Sequence, residues 1–285
     1  MNDVVLQTHD LAIGYAPSRR ERRIVAQDLN LTLTGGELVC LIGPNGAGKS
    51  TLMRTLAGMQ PALGGRVLLL GDEVGALKTN ELARRLSVVL TERIDVGLLS
   101  VFELVALGRY PYTEWSGALN SHDEDVIQWA LKAVGAAALA NRSVGELSDG
   151  ERQKALIARA LAQEPALMLL DEPTAFLDLP RRVEIMRTLR ELARSTGRAI
   201  LLSTHDLDLA LRSADRIWLM PLGGQLQTGA PEDLVLSGAF EAAFRGEGVD
   251  FDRATGSFRV SSRNGARVIL TGQGLEAVWT ARALE

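Results

Sequence analysis

Gly43-Pro44-Asn45-Gly46-Ala47-Gly48-Lys49-Ser50-Thr51 fills every required position of the pattern G-x-x-x-x-G-K-[ST], and its flanks supply the context that pattern needs. Leu38-Val39-Cys40-Leu41-Ile42 before it is an unbroken apolar run that reads as a buried strand. Residues 50–57 after it read as the start of a helix. The glycines let successive backbone N–H groups turn toward one anion, and the helix N-terminus adds its partial positive charge. In such a loop Lys49 is placed to neutralise β- and γ-phosphates, and the Ser50 hydroxyl to ligate Mg²⁺.

The surrounding chemistry is that of a nucleotide enzyme. A chain of 285 residues is long enough for one large α/β domain with a subdomain. Its net charge is −4 and its pI about 5.6. That balance leaves no general basic field to draw nucleic acid or an anionic membrane surface. The single cysteine, Cys40, falls inside the apolar strand and reads as a small buried hydrophobe in a reducing compartment. The opening MNDVVLQTHD lacks the basic-then-apolar order of a signal peptide. No stretch approaches 18 uninterrupted apolar residues, so any work at a membrane requires a partner that spans it.

A second site lies downstream. Ala166-Leu167-Met168-Leu169-Leu170 runs into Asp171-Glu172-Pro173, a buried strand delivering carboxylates at its C-terminal end, where α/β sheets place ligand chemistry. Asp171 reads as a residue of the Mg²⁺ shell. Glu172, one step on and on the opposite face of the strand, reads as the group that polarises water for attack on a γ-phosphate. Phosphoryl transfer depends mainly on positioning and charge neutralisation, so one carboxylate with a lysine and Mg²⁺ suffices.

Between the two sites stands Leu147-Ser148-Asp149-Gly150-Glu151, and with it the chain resembles the ABC ATPases, whose signature is L-S-G-G-Q. Ser148 with Glu151 three residues on is also a capping box, which predicts a helix through about residue 162. The resemblance implies that Ser148 and Gly150 clamp the γ-phosphate of ATP held by a second copy, so that a homodimer of cassettes sandwiches two nucleotides. It further implies that Tyr15 stacks on adenine, and that Asn45, Gly46 and Thr51 join Gly43, Gly48, Lys49 and Ser50 around ATP. By the same resemblance Asp178 reaches across the dimer, and His205, at the end of the apolar run 199–203, contacts the γ-phosphate. One element departs from the pattern: where the family carries a metal-touching Gln after the strand near residues 86–90, this chain has Thr91-Glu92. One of these two is expected to take over the metal contact.

The expected fold is α/β: a P-loop ATPase core with a mixed sheet, an antiparallel β patch, a helical subdomain and a small C-terminal β/α appendage. Residues 3–8, about 28–34 and 66–70 read as the patch, with the Arg-rich stretch 17–23 an exposed loop between its first strands. Apolar spacing predicts helices over 101–107, 123–134 and 148–162 within a helical subdomain at about 93–161. The cassette is placed at 1–235 and the appendage at 236–285, the latter with helices at 238–245 and 275–284, a hairpin around 254–256 and a strand at 267–270. Residues 101–112, VFELVALGRYPY, resemble the E-L-V-x-x-G-R-x-P-[HY] run of ferric-siderophore, haem and cobalamin importers. That implies a peripheral ATPase on the cytoplasmic face of the cell membrane. It would drive integral membrane permease subunits fed by an extracytoplasmic substrate-binding protein, with no nucleic acid involved. An exporter, a lipid-transport ATPase or a soluble non-transport ABC ATPase is the alternative.

Overall fold

Along the strand Leu38–Ile42, Leu38, Cys40 and Ile42 enter one hydrophobic core while Val39 and Leu41 enter another. Successive side chains of a strand point to opposite faces, so a strand apolar on both must be covered on both. The computed structural model describes residues 3–18, 21–90, 99–113, 117–244, 249–252, 257–260 and 270–284, and this strand lies near the middle of its main sheet. That sheet has six strands, ordered Gln227–Gly229, Arg216–Leu219, Leu38–Ile42, Ala199–Ser203, Leu167–Asp171, Leu86–Val89. All neighbours pair in parallel except the first two. Cys40 is fully buried, and burial, reinforced by the Asp215 charge, pushes its thiol well above the usual range.

The antiparallel patch is more extended than the sequence suggests. Val4–Ser18 and Glu21–Leu29 form one long ribbon, flanked by Thr32–Thr34, Gly64–Leu69 and Asp72–Glu73. The expected loop over 17–23 is therefore corrected: strand continues to Ser18 and resumes at Glu21, in register Ser18↔Glu21. The stretch is polar because the distal ribbon faces solvent, as the exposure of Arg22 and Arg23 shows. A polar two-stranded ribbon carries no alternation that sequence periodicity could detect.

Helices Val101–Ala106, Ser121–Ala133 and Asp149–Ala162 pack on one another and feed the larger core. Each opens on a capping box, with Ser100, Asn120 and Ser148 as the caps. The Gly-Arg-Tyr-Pro run forms a 3₁₀ turn over Leu107–Arg109 and closes on itself through a buried cation. Arg109 is 1% exposed; its Nε donates to Asp123 Oδ1 at 2.8 Å, and its Nη1 donates to Ala162 O at 2.8 Å and Glu164 Oε2 at 2.6 Å. The guanidinium lies 4.1 Å from the Tyr112 ring centroid. A Cβ on Gly108 would meet Arg159 O at 2.2 Å, so this run cannot approach the Asp149–Ala162 helix with any larger residue. The hairpin Val249–Asp252 with Ser257–Val260 pairs antiparallel, and Leu275–Leu284 is helical. The strand expected at 267–270 falls almost wholly outside the described residues.

The Arg109 cluster gives a stability prediction. Arg109→Met strands the Asp123 carboxylate, whose side chain is 2% exposed, at a cost of about 3–5 kcal/mol for breaking a buried pair. The expected fall in melting temperature is roughly 10 °C. Burial alone would raise the Asp123 carboxyl, but the Asn120 backbone N–H and the Arg109 guanidinium outweigh it and hold the group below its ordinary value. A carboxyl depressed on folding contributes stability above about pH 4 and loses it as pH falls through the folded value. The penalty of Arg109→Met is thus greatest near neutrality and shrinks in acid, which thermal melts from about pH 7 down to about pH 2 would read directly.

Candidate functional site

The helix after the glycine loop, Lys49–Leu56, starts without a side-chain cap and with no acidic residue in its first turn. Its first N–H groups are left for an anion rather than for a side chain of its own. Two glycines shape the approach by contact as well as by backbone. Gly48 has φ 107°, and a Cβ there would lie 2.2 Å from Val25 Cγ1. A Cβ on Gly43 would lie 2.1 Å from Met220 O. The loop is thereby wedged between the ribbon and the end of the Arg216–Leu219 strand. Lys49 Nζ donates to Gly43 O at 2.8 Å and Pro44 O at 3.2 Å, which folds the side chain back over the loop. Desolvation lowers the Lys49 pKa, partly opposed by the charges of Glu172 and Asp171.

Those carboxylates arrive from the neighbouring strand. Leu167–Asp171 ends at Asp171, whose Oδ1 accepts from Ser203 Oγ at 2.6 Å. Ser203 Oγ in turn accepts from the Glu172 backbone N–H at 3.0 Å. Glu172 has φ 50°, so the chain leaves the strand there in the left-handed region instead of continuing the simple alternation. The expectation that Glu172 occupies the opposite face of a continuing strand is corrected accordingly. The turn brings Glu172 Oε1 to 2.5 Å from His205 Nε2. His205 follows the strand Ala199–Ser203, so Glu172 and His205 come from adjacent strands, held by one serine. Ser203 was not singled out in the sequence; its only signal there is its place at the strand end before Thr204-His205.

Around these groups opens a cleft of about 330 Å³, lined by Tyr15, Arg23, Val25, Asn45, Gly46, Gly48, Lys49, Ser50, Thr51, Glu172 and His205. Nine of these eleven are sequence candidates; Arg23 and Val25 are additions from the ribbon. The Tyr15 hydroxyl lies 2.8 Å from Thr51 Oγ1, tying the ribbon to the loop helix. The cleft joins a lysine and an uncapped helix start to a carboxylate–histidine pair. That combination can hold a polyphosphate and present a base beside it.

Three candidates lie apart from this cleft. Ser148 Oγ donates to Glu151 Oε2 at 2.7 Å, and Ser148 N donates to the same oxygen at 2.9 Å. Those bonds hold the Glu151 carboxyl below its ordinary value. Asp178 caps Leu179–Thr196 by accepting from Arg181 N at 3.1 Å, and Gly150 sits beside the Arg181 side chain. The exposed Ser148 and Asp178, with the buried Gly150 against the Arg181 side chain, thus mark a second surface of the same chain. Thr91 and Glu92 lie outside the described residues.

The ABC transporter family model matches residues 26–175. An uncharacterised ABC transporter ATP-binding protein of Methanocaldococcus jannaschii is 43% identical over 81% of this chain and 78% of its own length. The iron(3+)-hydroxamate import ATP-binding protein of Bacillus subtilis is 35% identical over 84% and 87%. Among solved structures, a metal-chelate type ABC transporter in an inward-facing conformation matches with TM-score 0.73 and 28% identity, over 85% of this chain and 89% of that one. A dimeric ATP-binding cassette bound to ADP and phosphate matches with TM-score 0.67 and 26% identity, over 79% and 98%.

Proposed function

The chain belongs to the ABC transporter family, and on that premise we propose that it is the ATP-hydrolysing subunit of an importer for an iron chelate or a related corrinoid. The observation that carries the catalytic part is the single cleft joining Lys49 to the Glu172–His205 pair. The chelate reading rests on the iron-hydroxamate relative, the metal-chelate transporter neighbour and the GRYPY run.

In this reading ATP lies along the cleft with its phosphates over the loop 43–51. Lys49 compensates their charge, and its ammonium, desolvated by burial, acts more strongly there than at a surface. Glu172 accepts the proton of the attacking water, and His205 fixes the γ-phosphate and orients Glu172. Ser203 ties the Asp171 carboxylate to the Glu172 backbone N–H and so fixes the turn that carries Glu172. The donor set suits magnesium: a hydroxyl and carboxylate oxygens, with no group of three or more His, Cys, Asp or Glu among the described residues. Mg²⁺ commonly takes only one or two protein ligands plus phosphates and water, so Ser50 and Asp171 would hold it. When bound it would supply charge neutralisation on the transferring phosphate.

The second surface, Ser148 with Gly150 and Asp178, would meet the cleft of another copy, so the working unit is a homodimer. No helix of the described residues is long and apolar enough to cross a membrane. The subunit therefore acts through permease partners, with residues 1–235 as the cassette, about 93–161 as the arm that meets the permease, and 236–285 as an appendage.

The partner claim has its own test. Tagged protein drawn from gently solubilised native membranes should bring down a many-helix permease together with a binding protein for ferric chelates or corrinoids. Recovery of an exporter-type membrane partner, or of no membrane protein, would contradict the importer assignment.

A further inference from the structure

The ribbon places a cation in the cleft that the phosphate machinery does not use. Tyr15 and Arg23 are register partners on antiparallel strands. Directly opposed residues share a face, with Cβ atoms about 5 Å apart, and both line the cleft. Val25, an unpaired position where the ribbon's register shifts between Ile24 and Ala26, is the residue that abuts Gly48. Arg23 lies beyond Val25 along the same strand, toward the Ser18↔Glu21 end of the ribbon. Among the described residues no carboxylate pairs with Arg23. Tyr15 is 46% exposed and Arg23 is exposed as well, so both side chains can be reached by a ligand in the cleft.

We infer that Arg23 and Tyr15 form a clamp for the purine base, with the Arg23 guanidinium lying against the base beside the tyrosine ring. The inference rests on the reading of the cleft as an ATP site and adds a residue to it. A planar guanidinium stacks on aromatic faces and donates to ring acceptors, which a purine offers and a phosphate tail over the loop does not need. Position decides between base and phosphate: the loop end of the ribbon is occupied by Val25, and Arg23 lies beyond it.

The test compares two ligands, ATP and tripolyphosphate, each with Mg²⁺, by equilibrium binding to the full chain. Arg23→Ala should raise the ATP dissociation constant about three-fold, the scale of a cation–π contact at an exposed site, and leave tripolyphosphate binding unchanged. Arg23→Lys should restore ATP binding only in part, because an ammonium keeps the charge and loses the plane. Equal weakening of both ligands would overturn the clamp by placing Arg23 on the phosphates, and no change in either would overturn it outright. Full rescue by lysine would overturn the planar contact. Lys49→Ala separates the two levels of the argument: it should weaken both ligands, and if it weakens neither, the site reading fails first and the clamp with it.

Discussion

Glu172→Gln is expected to lower steady-state ATP hydrolysis at least about 100-fold, the scale of a lost general base, while ATP affinity stays within about a factor of three. Glutamine keeps the length and planarity of the side chain and its donor–acceptor contact with His205, but it cannot take a proton from water. The affinity should persist because the groups proposed to hold the phosphates, Lys49 and the uncapped start of Lys49–Leu56, are untouched. The substitution thus removes an interaction made in the transition state and leaves the ground state intact, so kcat falls with little change in binding. With hydrolysis blocked, ATP should accumulate a stable dimer, visible as an ATP-dependent doubling of mass in light scattering. A variant with full turnover would remove Glu172 from the role of base. A variant that lost ATP binding as well would mean that Glu172 shapes the cleft more than it serves the chemistry.

Lys49→Ala is expected to raise the ATP dissociation constant about 100-fold and to abolish turnover. The expected size follows from the environment. Lys49 is 7% exposed, is desolvated enough to lower its pKa, and is folded back by two carbonyl contacts onto the loop that a phosphate would occupy. A charge–phosphate contact in so dry a place is worth several-fold more than at a surface, and no other lysine lines the cleft. Melting in the absence of nucleotide should move little, because the ammonium is held by two carbonyls and by no ion pair among the described residues. Titration with a fluorescent ATP analogue and a nucleotide-free thermal melt read the two effects separately. Unchanged affinity would contradict the phosphate-loop reading itself.

Much of this site was legible because its parts are local. The loop 43–51 and the carboxylates after Leu167–Leu170 are each a strand, a turn and a helix in a row, and such patterns survive without tertiary knowledge. The capping box at Ser148 likewise follows from residues three apart. What escaped depends on contacts between distant segments. The distal ribbon around Ser18↔Glu21 is polar on both strands, so it reads as loop, yet its second strand carries Arg23 and Val25 into the cleft. Ser203 lies 31 residues from Glu172, and nothing near it in sequence marks it as the partner of the Asp171 carboxylate and the Glu172 backbone N–H. The left-handed turn at Glu172 was hidden for a similar reason, since glutamate has no preference for that conformation and only the surrounding contacts impose it. GRYPY was recognised as a family-like run, but its physical content, a buried arginine joining the helical region to the end of Asp149–Ala162, belongs to the fold.

The most direct test of the central claim is ATP-driven uptake of a labelled ferric chelate into proteoliposomes. They would hold this chain, its co-purified permease and the cognate binding protein, with the Glu172→Gln protein assayed alongside. The account predicts accumulation that requires ATP and vanishes with Glu172→Gln while the complex still assembles. Uptake that proceeds equally with the Glu172→Gln protein, or ATP hydrolysis that never moves a ferric chelate or corrinoid, would contradict it.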